Sequence, residues 1–581
     1  MKIDLLLKNA LVFNSYTKTF NSADVAVLDG KVLYVDKENK YEFESDEIVD
    51  CEGKHLIPGL VDIHMHIESS MTTPEFFCDK VASYGITTVV AEPHEITNVF
   101  GVHGVEEMIK AGKEAKIDVF MAIPSSVPST SSELETTGGT VDFDAMVELS
   151  KCDGIVCVGE VMNYAQVIKE DNNLDITRFI KHIRKQDPQY IVEGHCPKLV
   201  DLDLAKFLYL GIDADHTEHN LEEIKQRYDM GMFVEIQDKM LKQEVLDYVI
   251  ENNLYQHTSF VTDDTMADDF AFDGHLNKVV AGAIEKGFRL EDAVFCSTYT
   301  PSMRMNFRDR GTIAPGRLAD MVLLESAEEM EVSKTFKNGK LIYEKGQEFL
   351  SNASYKFPEE FYNSIKIDKV KKEDFEIKVD ISGSDNSNSN SAKNTVRCRV
   401  IEVNDGTINS NEVERDIPVV DGRLNWQDSD CLLIAVIERH GKNGNIGLGL
   451  VTGDILKEGA AATTYAHDHH NLIVTGKNLD DIVLACNTVI ESQGGYVVCK
   501  DGEVMAQVRL PIAGILSDEP IDKLGRDIRH VREEMISLGY NHFNPILSLS
   551  MLGLVVNPEL KISDMGLVRV KEGKVVDLII S

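Results

Sequence analysis

Two hydrophobic patterns alternate along the chain. Residues 1 to 55 carry short apolar runs broken by turn residues, as at 4–13 and 24–35, and read as strands. From 56 to 301 unbroken apolar runs take over, at 60–66, 86–92, 117–123, 154–160, 190–195, 211–216, 231–236 and 258–264. Each has the length of a strand buried on both faces, and most gaps can hold a helix with two loops. Eight such units in about 250 residues predict an α/β fold built on a TIM-like (β/α)8 barrel, with catalytic groups at the C-terminal strand ends.

Beyond the barrel, GTIAPGRLADMVLL at 311–324 returns to the strand character of the start. Residues 1–55 and 302–375 are therefore expected to form one small β-domain of sandwich type. The run SGSDNSNSNSAKN at 382–394 marks a solvated linker, placed at 376–394. Residues 395–581 are expected to be an α+β domain, with strands at 431–438 and 497–499 and helices near 478–492 and 518–538. Asp501-Gly502 reads as a hairpin turn between apolar alternations.

Composition narrows the classes of function. Hydrophobic residues at 43% and charged residues at 27% of 581 positions describe a soluble globular chain of several units. A net charge of −38 argues against nucleic-acid and anionic-membrane partners, which need concentrated Lys and Arg. No apolar run reaches the roughly 18 residues that would span a bilayer. The N-terminus lacks the pattern of a signal peptide. The ten cysteines show no C-x-x-C pair, so free, mostly buried thiols and a cytoplasmic setting are expected, with a homo-oligomer compatible with the acidic build.

The chemistry lies at the predicted strand ends. Strand one ends in His64 and His66, strand four in Glu160, strand five in His195, strand six in His216 and strand eight in Asp263-Asp264. Side chains two apart on a strand share a face, so His64 and His66 can grip one ion together. Glu160 can bridge to a second ion held by His195 and His216. A lone histidine is more often packing than ligand, but so many ligand types at one end of a barrel predict a binuclear centre. Imidazole and carboxylate ligands suit Mn2+, expected first, and equally Fe2+ or Zn2+.

Several segments carry a resemblance to a known family: PGLVDIHMHIESSMTTPEFF (58–77), EPHEITNVFG (92–101), GEVMN (159–163), EGHCP (193–197), DADHTEH (213–219) and FVTDD (260–264). Together they resemble adenine deaminases of the amidohydrolase superfamily, and the likeness continues through AHDHHNLIVTG (466–476) and GGYVVCKDGEVMAQVRLPIAGILS (494–517). Many relatives in that superfamily bridge their metals with a carboxylated lysine. Here Glu160 stands in that place, and the resemblance implies it as the bridge.

The resemblance also implies a reaction, the hydrolytic deamination of adenine to hypoxanthine and ammonia in purine salvage. Water activated by two metal ions would attack C6, with Asp263 taking and passing on its proton. Glu92 is expected as a proton shuttle or as a partner orienting a ligand histidine. Glu68 occupies a position where relatives acting on anionic cyclic amides often have Arg, and it suits a neutral purine; the alternative is a helix cap. Asp264, His94, Glu95, Met162 and Asn163 are expected to line the substrate. His275 reads either as a support to the site or as a helix-start contact, and Cys196 as packing. In His467-Asp468-His469-His470 consecutive side chains diverge, so at most two could bind one ion; His440 is unresolved. The rival readings are a dihydropyrimidinase-like or deacetylase-like amidohydrolase, which Glu68 disfavours, and a silent scaffold, which the full ligand set disfavours.

Overall fold

The computed structural model of the protein describes residues 1–38, 40–169, 173–347, 354–379 and 395–580, so the linker run at 382–394 lies outside them. The chain folds into two compact units: Met1–Pro93, Val105–Ser125 and Asp142–Lys356 form one, and His94–Gly104, Ser126–Val141 and Phe357–Ser581 the other.

All eight predicted barrel strands are present in the first unit. They are β1 (Leu60–Met65), β2 (Ile86–Ala91), β3 (Asp118–Ile123), β4 (Ile155–Val161), β5 (Val192–Gly194), β6 (Ala214–Asp215), β7 (Phe233–Ile236) and β8 (Thr258–Phe260). Strands β1 and β2 are buried along their whole length, as parallel strands covered on both faces must be. Strands β1 to β5 form one parallel sheet and β6 to β8 another. Two seams join them. Asp263 N donates to His64 O at 3.1 Å, and Asp213 N donates to Val192 O at 3.4 Å. Helices follow the strands, for instance Pro74–Ser83 after β1, Asp175–Gln186 after β4 and Leu221–Asp229 after β6. The helix at 175 buries Ile176, Phe179, Ile180 and Ile183 along one stripe. The helix at 221 starts with a reciprocal cap between Asn220 and Glu223. The architecture is that of a TIM-like barrel.

Strands β5, β6 and β8 are shorter than the apolar runs suggested. His195 and His216 each lie one residue past a strand end, and Asp263 lies three past β8 in the left-handed region at φ 60°. The backbone leaves the ladder at the point where polar side chains are needed.

The two segments flanking the barrel share an eight-stranded sheet. Strands Lys2–Asn14, Thr19–Leu28, Lys31–Asp36, Glu44–Asp50 and His55–Pro58 join Met321–Ser326, Glu331–Lys337 and Lys340–Glu344. Val322 pairs with Ile57 across the gap in sequence, and Leu5, Val25, Leu56, Met321 and Phe336 supply the core.

The second unit is built on a nine-stranded sheet and a three-stranded one. Strands Leu432–Ile437 and Gly495–Lys500 and helices Leu479–Glu491 and Ile521–Ser537 answer to the predicted elements. Helix Leu479–Glu491 buries Ile482, Ala485, Cys486 and Val489 against Leu433, Val474 and Val497. Asp501 and Gly502 have φ of 53° and 81° between paired Lys500 and Glu503, the signs of a type I′ turn. Two segments expected within the barrel, His94–Gly104 and Ser126–Val141, fold with this unit instead. Phe100 stacks on Phe361 at 4.0 Å, and Gly139 N donates to Asn98 O at 2.9 Å.

Gly59 leads the chain into β1 and has no room for a side chain: a Cβ there would lie 2.1 Å from Thr87 Oγ1. Thr87 is buried and β-branched, so it cannot swing aside. Gly59→Ala should lower stability by about 1–3 kcal/mol, seen as a fall of a few degrees in Tm, and Thr87→Ala should recover part of it. An unchanged Tm would show that β1 and β2 separate without cost.

Candidate metal centre

The six predicted ligands converge at the barrel mouth. His64 on β1 and His66, one residue past its end and still extended, are two positions apart and have ring centroids 5.4 Å apart. Glu160, near the end of β4, holds Oε2 at 2.6 Å from His195 Nδ1 and 3.3 Å from His216 Nε2. Its Oε1 lies 3.6 Å from His66 Nε2. Asp263 Oδ1 lies 3.4 Å from His66 Nε2 and 3.8 Å from His64 Nε2. One carboxylate thus faces histidines on both sides, and another closes the first pair.

The donor set fits a pair of divalent ions. His64 Nε2 is buried without a hydrogen bond although it faces Asp263, as expected for two atoms aimed at a shared ion rather than at each other. Four imidazoles and two carboxylates, with no thiolate among them, suit Mn, Fe or Zn.

The electrostatics follow from burial and close packing. Burial pushes the His64 imidazole down to about 4, helped by the neighbouring His216. Burial would also lower His216, but Glu160 and Asp263 outweigh it and raise it to about 9. His66 is likewise raised against its burial by Asp263, Asp264 and Glu160. Burial alone would raise Glu160 and Asp263, yet the histidines hold both carboxyls well below the usual range. Without metal, protons on His66 and His216 balance the buried carboxylates.

A supporting layer fixes the ligands. Glu92 Oε2 accepts from Glu160 N at 3.0 Å, and its carbonyl oxygen lies 3.2 Å from His66 Nδ1. Glu92 therefore orients both a ligand carboxylate and a ligand histidine. Gly159 makes this contact feasible, since a Cβ there would sit 1.6 Å from Glu92 Oε2. Gln237 was not foreseen: its Nε2 donates to Asp263 Oδ2 at 3.0 Å and to His216 O at 2.9 Å. Its one signal in the sequence is a polar residue directly after the apolar run 231–236.

His275 also supports the site. Its ring is buried, with Nε2 3.3 Å from Thr262 Oγ1, while Thr262 Oγ1 donates to Asp62 Oδ2 at 2.7 Å. His275 makes no side-chain cap on the helix that follows it. Behind His216, fully buried Asp215 accepts from Arg227 Nε and lies beside His219 Nε2, each at 2.7 Å. Arg227 Nη2 donates to Cys196 O at 2.8 Å, and the Cys196 thiol, pushed up by burial, donates to Asp215 at 3.1 Å. Cys196 packs and is not poised as a nucleophile.

The expected substrate residues fall into two groups. Glu68 is fully buried in the 3-10 turn Ile67–Ser70, which no side chain caps, and Asp264 accepts from Ser69 Oγ. Met162 and Asn163 follow β4 and are half-buried. His94 and Glu95 belong to the second unit, where Glu95 contacts His467 and His470. His440 Nε2 lies 3.0 Å from the carbonyl oxygen of His469.

A barrel with this ligand set defines a metal-dependent hydrolase of the amidohydrolase type, and residues 55–196 and 256–342 match the amidohydrolase family. Residues 407–574 match the adenine deaminase C-terminal domain. The chain is 47% identical over 582 aligned residues to an adenine deaminase of Clostridium perfringens (strain 13 / Type A), covering 100% of this chain and 99% of that protein. It is 43% identical to adenine deaminase 2 of Shouchella clausii (strain KSM-K16), with 100% of each covered. The chain belongs to the adenine deaminase family. Among solved structures, an enamidase of the amidohydrolase superfamily aligns with 59% of this chain and 96% of that one, at 17% identity and a TM-score of 0.45.

Two outcomes follow from this geometry. Gly159→Ala should displace Glu92 and lower metal affinity about 10–100-fold, measured by titration of the metal-stripped protein; unchanged affinity would remove Glu92 from the supporting layer. Metal loading near pH 7 should expel about two protons, from His66 and His216, and should weaken as pH falls. Calorimetry in buffers of different ionisation enthalpy reads this directly, and heats independent of buffer would contradict it.

Proposed function

We propose that this centre deaminates adenine hydrolytically to hypoxanthine and ammonia. The observation that carries the reading is Glu160, one carboxylate set between His66 and the His195–His216 pair, in a chain similar over its full length to adenine deaminases. His64, His66, Glu160, His195, His216 and Asp263 would hold two divalent ions, Mn2+ first and Fe2+ or Zn2+ by the same ligands. Such ions lower the pKa of water enough to supply hydroxide near neutral pH.

The chain's own groups handle protons and position. Asp263, held well below the usual carboxylate range and fixed by Gln237, is an ionised base for the proton of the attacking water. Addition at C6 makes that carbon tetrahedral while ring N1 takes a proton. A second proton passes to the amino group, the C6–N bond breaks and ammonia leaves. Glu92 acts through Glu160 and His66, as a positioning residue. Glu68 and Asp264 are read as acceptors for ring N–H and amino hydrogens, with Met162 and Asn163 beside the base. A buried carboxylate at 68 also repels anionic amides, which separates this site from hydrolases of cyclic amide acids.

We read the flanking sheet and residues 395–581 as domains separate from the barrel. The ten unpaired thiols support a reducing, cytoplasmic setting.

The test is ammonia release from adenine by Mn-loaded protein, with hydantoin and N-acetyl sugars as comparison substrates. Adenine should be turned over and the amides left intact, and Glu160→Gln should abolish activity while reducing metal content. Turnover of an amide with adenine untouched would overturn the assignment, and full activity of Glu160→Gln would remove the bridging role.

A further inference from the structure

The second unit holds another convergence of ligand atoms, one that includes none of the six barrel ligands. Glu95, at the start of helix His94–Phe100, is fully buried, and so, to within a few per cent, are His94, His467 and Asp468. We propose that Glu95, His467, Asp468 and His94 form a further metal site that takes one divalent transition ion.

Ligand atoms of His94, Glu95 and Asp468 lie within 4.8 Å of one another, as around a common centre, and His467 borders the two carboxylates. His94 Nε2 lies 3.5 Å from Glu95 Oε1 and 4.0 Å from Asp468 Oδ1, and His467 Nδ1 lies 3.6 Å from Asp468 Oδ1. Four ligands at about 2.1 Å from a tetrahedral ion stand about 3.4 Å from one another. The fourth contact is tighter, with His467 Nδ1 2.6 Å from Glu95 Oε1. Even so, Glu95 Oε1 makes no hydrogen bond, so the two atoms are close without being aligned as donor and acceptor. Lone pairs aimed at a shared ion give that arrangement.

Charge points the same way. Asp468 Oδ2 is buried with no hydrogen-bond partner, beside the fully buried carboxyl group of Glu95. Two carboxyl groups buried this close together are costly to ionise without a counter-charge, which a divalent cation supplies.

The neighbours act as a support. Ala466 N donates to His470 Nδ1 at 3.2 Å, which leaves the proton on His470 Nε2 to donate to Glu95 Oε2. His469 turns away, with Asn471 N donating to its Nδ1 at 3.0 Å. Of four consecutive polar residues, His467 and Asp468 thus face the ion, His470 holds a ligand and His469 lies outside. The assignment makes His94 and Glu95 ligands rather than contacts to the purine.

The experiment is a metal count on the full chain, stripped with chelator, reloaded with Zn2+ or Mn2+ alone, desalted and measured by mass spectrometry. The wild type should carry one equivalent more than Asp468→Asn, and His64→Ala/His66→Ala with Glu160→Gln should keep one equivalent after losing the barrel centre. Circular dichroism and melting of each variant establish folding. Should Asp468→Asn fail to fold, the barrel-centre variant and the stoichiometry of the wild type decide. A barrel-centre variant that is folded and metal-free overturns the site, as does equal metal content in wild type and Asp468→Asn. Because the readout is metal content and not ammonia release, this result is independent of the substrate assignment.

Discussion

A single carboxylate shared by histidines from several strands organises the barrel mouth. Glu160 sets one oxygen against His195 and His216 and turns the other to His66. Burying such a group is costly unless its charge is answered on every side. The answer is built into neighbouring elements: Gly159 leaves space for Glu92, and Glu92 takes the amide of Glu160 itself. Removing one member therefore disturbs more than one ligand.

The same logic extends beneath the second pair of ligands. His195 and His216 stand beyond very short strands, which by themselves would leave them loosely placed. Asp215 and Arg227, both fully buried, compensate by tying the loop after β5 to the end of β6 through Cys196. A buried ion pair is weak evidence of stability, but here it ties down the backbone next to both ligand histidines. Gln237 does the equivalent for Asp263 with a neutral amide, leaving the charge of the carboxylate free for chemistry.

Much of this was legible in the sequence because periodicity and strand ends report on local structure. Unbroken apolar runs located all eight barrel strands, and the residues ending five of them supplied the ligands. The runs overestimated β5, β6 and β8, since apolar character continues past the last ladder hydrogen bond. Long-range partners left no such trace. Glu95 and His470 meet across 375 positions, and nothing in either segment's pattern signals the other. The placement of 94–104 and 126–141 with the second unit was hidden for the same reason, because helical and loop patterns do not say which core they join. Gln237 looked like any polar residue after a strand.

The left-handed backbone at Asp263 adds a constraint of another kind. Most residues with a Cβ pay about 1–2 kcal/mol to adopt that conformation, while Asn, Asp and Gly do so readily. Chemistry asks for a carboxylate at this position and the backbone favours a short side chain, and aspartate meets both. The longer glutamate, chemically equivalent in solution, would adopt this turn at a cost of about 1–2 kcal/mol. Drift at this position is opposed twice over, by the chemistry and by the backbone, so a substitution there burdens the loop as well as the reaction.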